Sequence, residues 1–133
     1  MPTVDLVDET FIAAPPEVVA AAVARTERWR EWWPDLVLTV FMDRGRQGLR
    51  WNVAGGLHGS SELWLEPVAD GVLVHYYLRA DPPVPPGSGS PGRSARRARR
   101  LREGRARAWK RSVWALKDEL EAGRAPGGAA AAH

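Results

Sequence analysis

Cysteine is absent from all 133 residues. That excludes disulfides, thiolate zinc sites and cysteine nucleophiles, and it suits a reducing compartment, so the expected location is the cytoplasm. Long apolar runs are missing too. None approaches the roughly 20 residues that span a bilayer, and the opening MPTVDLVDET lacks the basic-then-apolar order of a signal peptide, so a soluble chain is expected. Histidine is scarce: His58, His75 and His133. His58 and Glu62 stand four apart, a spacing that gathers metal ligands on a helix but not in the strand and turn where they fall. No metal site and no cofactor is expected. A Gly-x-Ser-x-Gly elbow, a phosphate loop and a dinucleotide fingerprint are all lacking, which leaves the common nucleophile and nucleotide classes without a signature.

What is present is tryptophan and arginine. The chain carries seven Trp, three of them in WREWWPDL (29–36), and enough apolar content, 44%, for one core. A length of this order suits a single domain. We assign it to 1–122, with a Pro/Gly/Ser-rich loop over 80–92 (ADPPVPPGSGSPG) and a low-complexity, disordered tail over 123–133. Net charge is only +3, but Arg93 to Arg111 holds ten Lys/Arg against the single acid Glu103, so the remainder is acidic. Such asymmetry points to a solvated helix face or to an anionic partner.

Period-two alternation in VDLVDETFI predicts a strand over 4–12. Pro15 and Pro16 then suit the start of a short helix through Arg25. A second follows from Thr26, read as its N-cap, to Trp33, where Pro34 blocks continuation. Four strands come next, LVLTVFMD, GLRWNV, SSELWLEPV and VLVHYYLRA, separated by Gly-rich turns. Ala98, Leu101, Arg105, Trp109, Val113, Leu116 and Leu120 recur at three and four residues, predicting one amphipathic helix from about Arg93 to Ala122. A two-residue Asp70-Gly71 loop would set Leu63 opposite Leu78, Leu65 opposite Tyr76 and Glu62 opposite Arg79, with one wholly apolar face. That face needs a cover, and the long helix is the only element able to supply it.

With this order in hand, FIAAPPEVVAAAVARTERWREWWP resembles the opening of the START-like superfamily of polyketide cyclase/dehydrase and lipid-transport domains (SRPBCC). WLEPVADGVLVHYYLRADP is similar to the late hairpin of that superfamily, and WKRSVWALKDELE to its C-terminal helix. The resemblance spans Val4 to Glu121 in element order. It implies an α+β helix-grip (Bet v 1-like) fold, here with fewer strands than members commonly carry, and a cavity between sheet and helix. It also implies that the Trp-Trp-Pro junction borders the cavity mouth, with Trp33 as the gate; packing alone is the competing role of these indoles.

Residues on apolar faces aimed at the long helix are the candidate lining: Trp33, Leu38, Trp51, Val53, Leu63, Leu65, Tyr76, Trp109 and Val113. Three readings follow. Binding of a small hydrophobic molecule, lipid-like or polyketide-like, is the expected function and needs only volume. A cyclase or dehydratase needs a polar group inside that volume, for which Asp8, His75 and Tyr76 are the candidates. An interaction protein needs the volume filled and Arg93, Arg96, Arg97, Arg99 and Arg100 exposed to an anionic surface. Nucleic acid is not the expected partner, because no recognisable module or interleaved aromatics accompany the arginines.

Overall fold

The computed structural model describes residues 2–83 and 91–122. The centre of the expected loop (84–90), the tail (123–133) and His133 lie outside the described residues. Strand β1 (Val4–Ile12) leads into helices α1 (Pro16–Val23) and α2 (Thr26–Trp32), then strands β2 (Leu36–Asp43), β3 (Gly48–Gly55), β4 (His58–Val68) and β5 (Gly71–Asp81), and finally helix α3 (Pro91–Glu121). A single 3-10 turn, Gly45–Gln47, joins β2 to β3. All strands form one antiparallel sheet in the order β1-β5-β4-β3-β2. The helix-grip expectation holds, and the four strands predicted between the second helix and the last are present. Among the described residues no helix is long and apolar enough to cross a membrane.

Element ends differ modestly from the sequence reading. Thr26 is the first helical residue and Arg25 precedes it as the cap, with no side-chain cap bond, so Thr26 does not play the N-cap role. The expected loop gives up Ala80 and Asp81 to β5 and Pro91 and Gly92 to α3.

The β4–β5 register is corrected by two residues. Leu63 faces Tyr76, Leu65 faces Val74, Glu62 faces Tyr77, and the loop is Ala69-Asp70 between Val68 and Gly71. The reason lies outside the hairpin. A Cβ on Gly71 would stand 2.2 Å from the carbonyl oxygen of Ile12, so this glycine lets β1 approach the start of β5 and belongs to the strand. Ala69 takes the positive φ, 50°, that the turn requires. A shift of two preserves the faces, because side-chain direction alternates with period two. The inner face therefore still carries Leu63 and Leu65 with Val74, Tyr76 and Leu78, all buried.

The core lies between this face and the helices. From α3 it takes Trp109, Val113 and Leu116, and from α1 it takes Val19, Ala22 and Val23. Salt bridges fasten the layers at their rims. Arg28 of α2 holds Glu119 of α3 in a two-pronged contact, with Nη2–Oε2 2.6 Å. Arg105 of α3 grips Asp35 likewise, with Nη1–Oδ1 3.0 Å. Asp35 also accepts the Gly56 N–H at its backbone oxygen, 2.8 Å, which ties the α2–β2 turn to the β3–β4 hairpin. The Arg105 hydrogen bond holds the Asp35 carboxyl below its ordinary value. At the other end Lys117 donates to the Phe11 carbonyl, 2.7 Å, and Glu121 accepts the Ala13 N–H, 2.8 Å.

Candidate functional site: an aromatic plug under a cationic helix

The volume expected to be a cavity is occupied by rings. Pro34 ends α2, and Trp33 just before it turns inward with φ −135° and ψ 67°. Its indole lies nearly parallel to Trp109, with centroids 5.8 Å apart, and to Tyr76, 5.9 Å. Tyr76 stacks on Trp109 at 4.4 Å. Trp51 meets Trp33 and Trp29 edge-on, and Trp32 meets Trp33 and Trp109 in the same way. Trp33 is 5% exposed, Trp109 2%, Tyr76 1% and Trp51 0%, so almost no water-accessible surface is left on them. The predicted lining is thus brought together, as mutual packing. Val53, Leu63, Leu65 and Val113 surround the rings and are equally buried. Leu38 is set apart: it pairs with Val53 at the sheet edge, half-buried, in a shallow recess with Thr26, Trp29 and Leu36.

The three proton-carrier candidates are dispersed. Asp8 does face α3, but its carboxylate accepts from Trp109 Nε1 and Thr10 Oγ1, both 3.1 Å, and pairs with Lys110 Nζ at 2.8 Å. It acts as a clamp between β1 and the helix. Burial pushes the Tyr76 phenol up to about 12, so near neutral pH it keeps its proton. His75 lies on the opposite, outer face. There it is stacked 4.2 Å from Trp64, with Nε2 3.0 Å from Glu66 and Nδ1 3.4 Å from Glu9. Glu66 reaches His75 from the neighbouring strand, although Trp64 is the residue directly opposite.

The second feature is α3 itself. Trp109, Val113 and Leu116 fix which side faces the sheet. On the other side Arg93, Arg97, Arg100, Arg107 and Arg111, all exposed, recur at four, three, seven and four residues. At 3.6 residues per turn this is one line, roughly 27 Å long from end to end. Arg96, Arg99 and Arg102 flank it, exposed as well. The cations near the core are engaged: Arg105 by Asp35, Lys110 by Asp8, Lys117 by Glu121. Among the described residues Arg96, Arg97, Arg99, Arg100, Arg102, Arg107 and Arg111 have no ion-pair partner. The line becomes visible only once the buried side of the helix is known.

Fold and site together define a helix-grip domain with an aromatic core in place of an open cavity. Among solved structures, the chain is similar to the Aha1 dimer from Colwellia psychrerythraea, with TM-score 0.58 and 17% identity over 92% of this chain and 99% of that one. It is also similar to the di-domain ARO/CYC protein StfQ from the steffimycin biosynthetic pathway, with TM-score 0.57 and 15% identity over 87% of this chain and 51% of that one. A Deinococcus radiodurans protein aligns with TM-score 0.51 and 16% identity over 75% of this chain and 98% of that one. These likenesses establish the shared fold. No family model matches the chain, and no curated protein does.

Proposed function

We propose that this domain is a docking module that associates with an anionic partner through the solvent face of α3. The observation that carries this reading is the pairing of a ring-filled interior with seven arginines that lack ion-pair partners among the described residues. Like charges at i,i+3 and i,i+4, as in Arg93/Arg96/Arg97/Arg100 and Arg107/Arg111, each cost a helix about 0.2–0.5 kcal/mol in isolation. A partner rich in negative charge removes that repulsion. The acidic remainder of the chain orients the protein, basic helix first, toward such a surface.

The test is the replacement of Arg96, Arg97, Arg99 and Arg100 by Gln. Because these side chains are exposed, unfolding free energy should change by less than about 0.5 kcal/mol. Retention on a heparin matrix at low ionic strength should fall sharply. A parent protein that ignores every polyanion at low salt defeats the reading, as does a quadruple variant that binds like the parent.

A second reading, binding of a small planar hydrophobic molecule such as a lipid-like or polyketide-like compound, is favoured by one specific observation. The Trp51 indole N–H is fully buried and has no hydrogen-bond partner, and it lies against Trp33 at the α2–β2 junction. A ligand that displaced Trp33 would open a slot beside Tyr76 and Trp109 and offer that N–H an acceptor. Fatty acids, sterols and aromatic polyketides should then shift tryptophan emission and raise the melting temperature. A panel that moves neither removes this reading. A cyclase has less support, since Asp8 is fully engaged, Tyr76 holds its proton and His75 faces away from the interior.

A further inference from the structure

The cationic line does not end in arginine. Trp114, 51% exposed, stands three residues beyond Arg111 and seven beyond Arg107, on the same face of α3. Lys117 lies over its ring at 5.7 Å and over that of Phe11 at 5.8 Å, which joins this face to the outer side of β1. Further along β1, Val7 is 60% exposed. Between Val7 and the helix lies a largely apolar recess of about 450 Å³, walled by Leu6, Val7 and Ala106 and rimmed by Arg107, Lys110 and Arg111. Asp8 also borders it, but Lys110, Trp109 and Thr10 already hold that carboxylate. The face closes at the exposed Asp118, one turn past Trp114.

Resting on the docking reading above, we propose that the anionic partner is the surface of a phospholipid bilayer bearing acidic headgroups. The arginine line lies along the headgroups, Trp114 enters the interface, and the recess beside Arg107 and Arg111 takes the upper part of one acidic lipid. Charge alone would suit any polyanion. The exposed indole, the exposed Val7 and the apolar recess beside the cations are what a bilayer uses and a phosphate backbone does not. Arginines at a membrane surface act through the negative potential of acidic lipids, which fades within a Debye length, so attachment is salt-sensitive while the indole contribution is not.

The experiment is co-sedimentation of the full chain with phosphatidylcholine vesicles, with and without phosphatidylglycerol, alongside duplex DNA binding at the same ionic strength. The proposal expects binding only when phosphatidylglycerol is present, with a blue shift of tryptophan emission. Arg107→Gln and Arg111→Gln should each weaken it roughly 5-fold. Trp114→Ser should weaken it several-fold and abolish the blue shift while leaving the melting temperature unchanged. Vesicle binding that is indifferent to Trp114 overturns the bilayer assignment. So does binding to DNA without binding to acidic vesicles, although the broader docking reading then stands. Binding to neither defeats both.

Discussion

The two halves of α3 are built on opposite terms. From Arg105 to Glu121 the helix contributes all of its buried residues, and its Arg105, Lys110, Lys117 and Glu119 all have partners elsewhere in the domain. From Pro91 to Gly104 only Ser94, Ala98, Leu101 and Gly104 are even half-buried, and the arginines turn outward. The same helical period thus serves two purposes along one rod. Where apolar residues define one side, the helix is held by packing and carries Arg107 and Arg111 on the other; where they thin out, it presents charge alone.

The sharpest way to break this contrast is to remove Trp109, the largest buried residue of the packed half. Trp109→Ala should cost about 3–5 kcal/mol, read by denaturant unfolding, because the stacked rings of Trp33 and Tyr76 cannot collapse into so large a void. A loss below about 1 kcal/mol would show that the interior is loosely filled.

Alkaline titration probes the same layer through Tyr76. Its folded pKa of about 12 lies above the ordinary value of 10.0, with burial as the main cause. The folded state therefore favours the protonated phenol. Its contribution is fully present below pH 10 and is lost as pH rises toward 12, amounting to about 3 kcal/mol over that window. Tyr76→Phe should flatten this part of the stability–pH curve, measured by chemical denaturation at each pH.

The smallest effect belongs to Gly104, where the two halves meet. A Cβ at Gly104 meets nothing within 4 Å. Gly104→Ala should raise stability by roughly 0.5–1 kcal/mol, seen as a higher melting temperature, by helix propensity alone. A fall would show that the two halves need freedom at this point.

How much of this was legible in the sequence depends on the range of the cause. Period two marked β1, and turn signals bounded β2, both at their observed limits, and the faces of β4 and β5 survive a wrong register because parity is local. The register itself was not legible: Gly71 looks like a turn residue until Ile12, far off in the chain, is seen against it. Leu38 was placed correctly on the inner face, but nothing local says that α3 does not cover that edge. Nor does any motif disclose that Trp33, Trp51, Tyr76 and Trp109 fill the space they line, since that depends on sheet curvature and summed volume. Arg105 was read with the core-facing stripe, and its partner Asp35 is 70 residues away.

The placement of β1 has a consequence for how the chain comes together. This strand precedes the other described elements in the chain, yet among the described residues its only sheet neighbour is β5, and its clamp to α3 joins residues 101 apart at Asp8 and Trp109. The partners that hold it, β5 and α3, both lie far later in the chain, so its pairing closes a long loop. Closing so long a loop is slow compared with forming the β2–β5 meander, whose turns are short. The meander is thus the natural first product, and capture of β1 by β5 and α3 is the step that completes the domain.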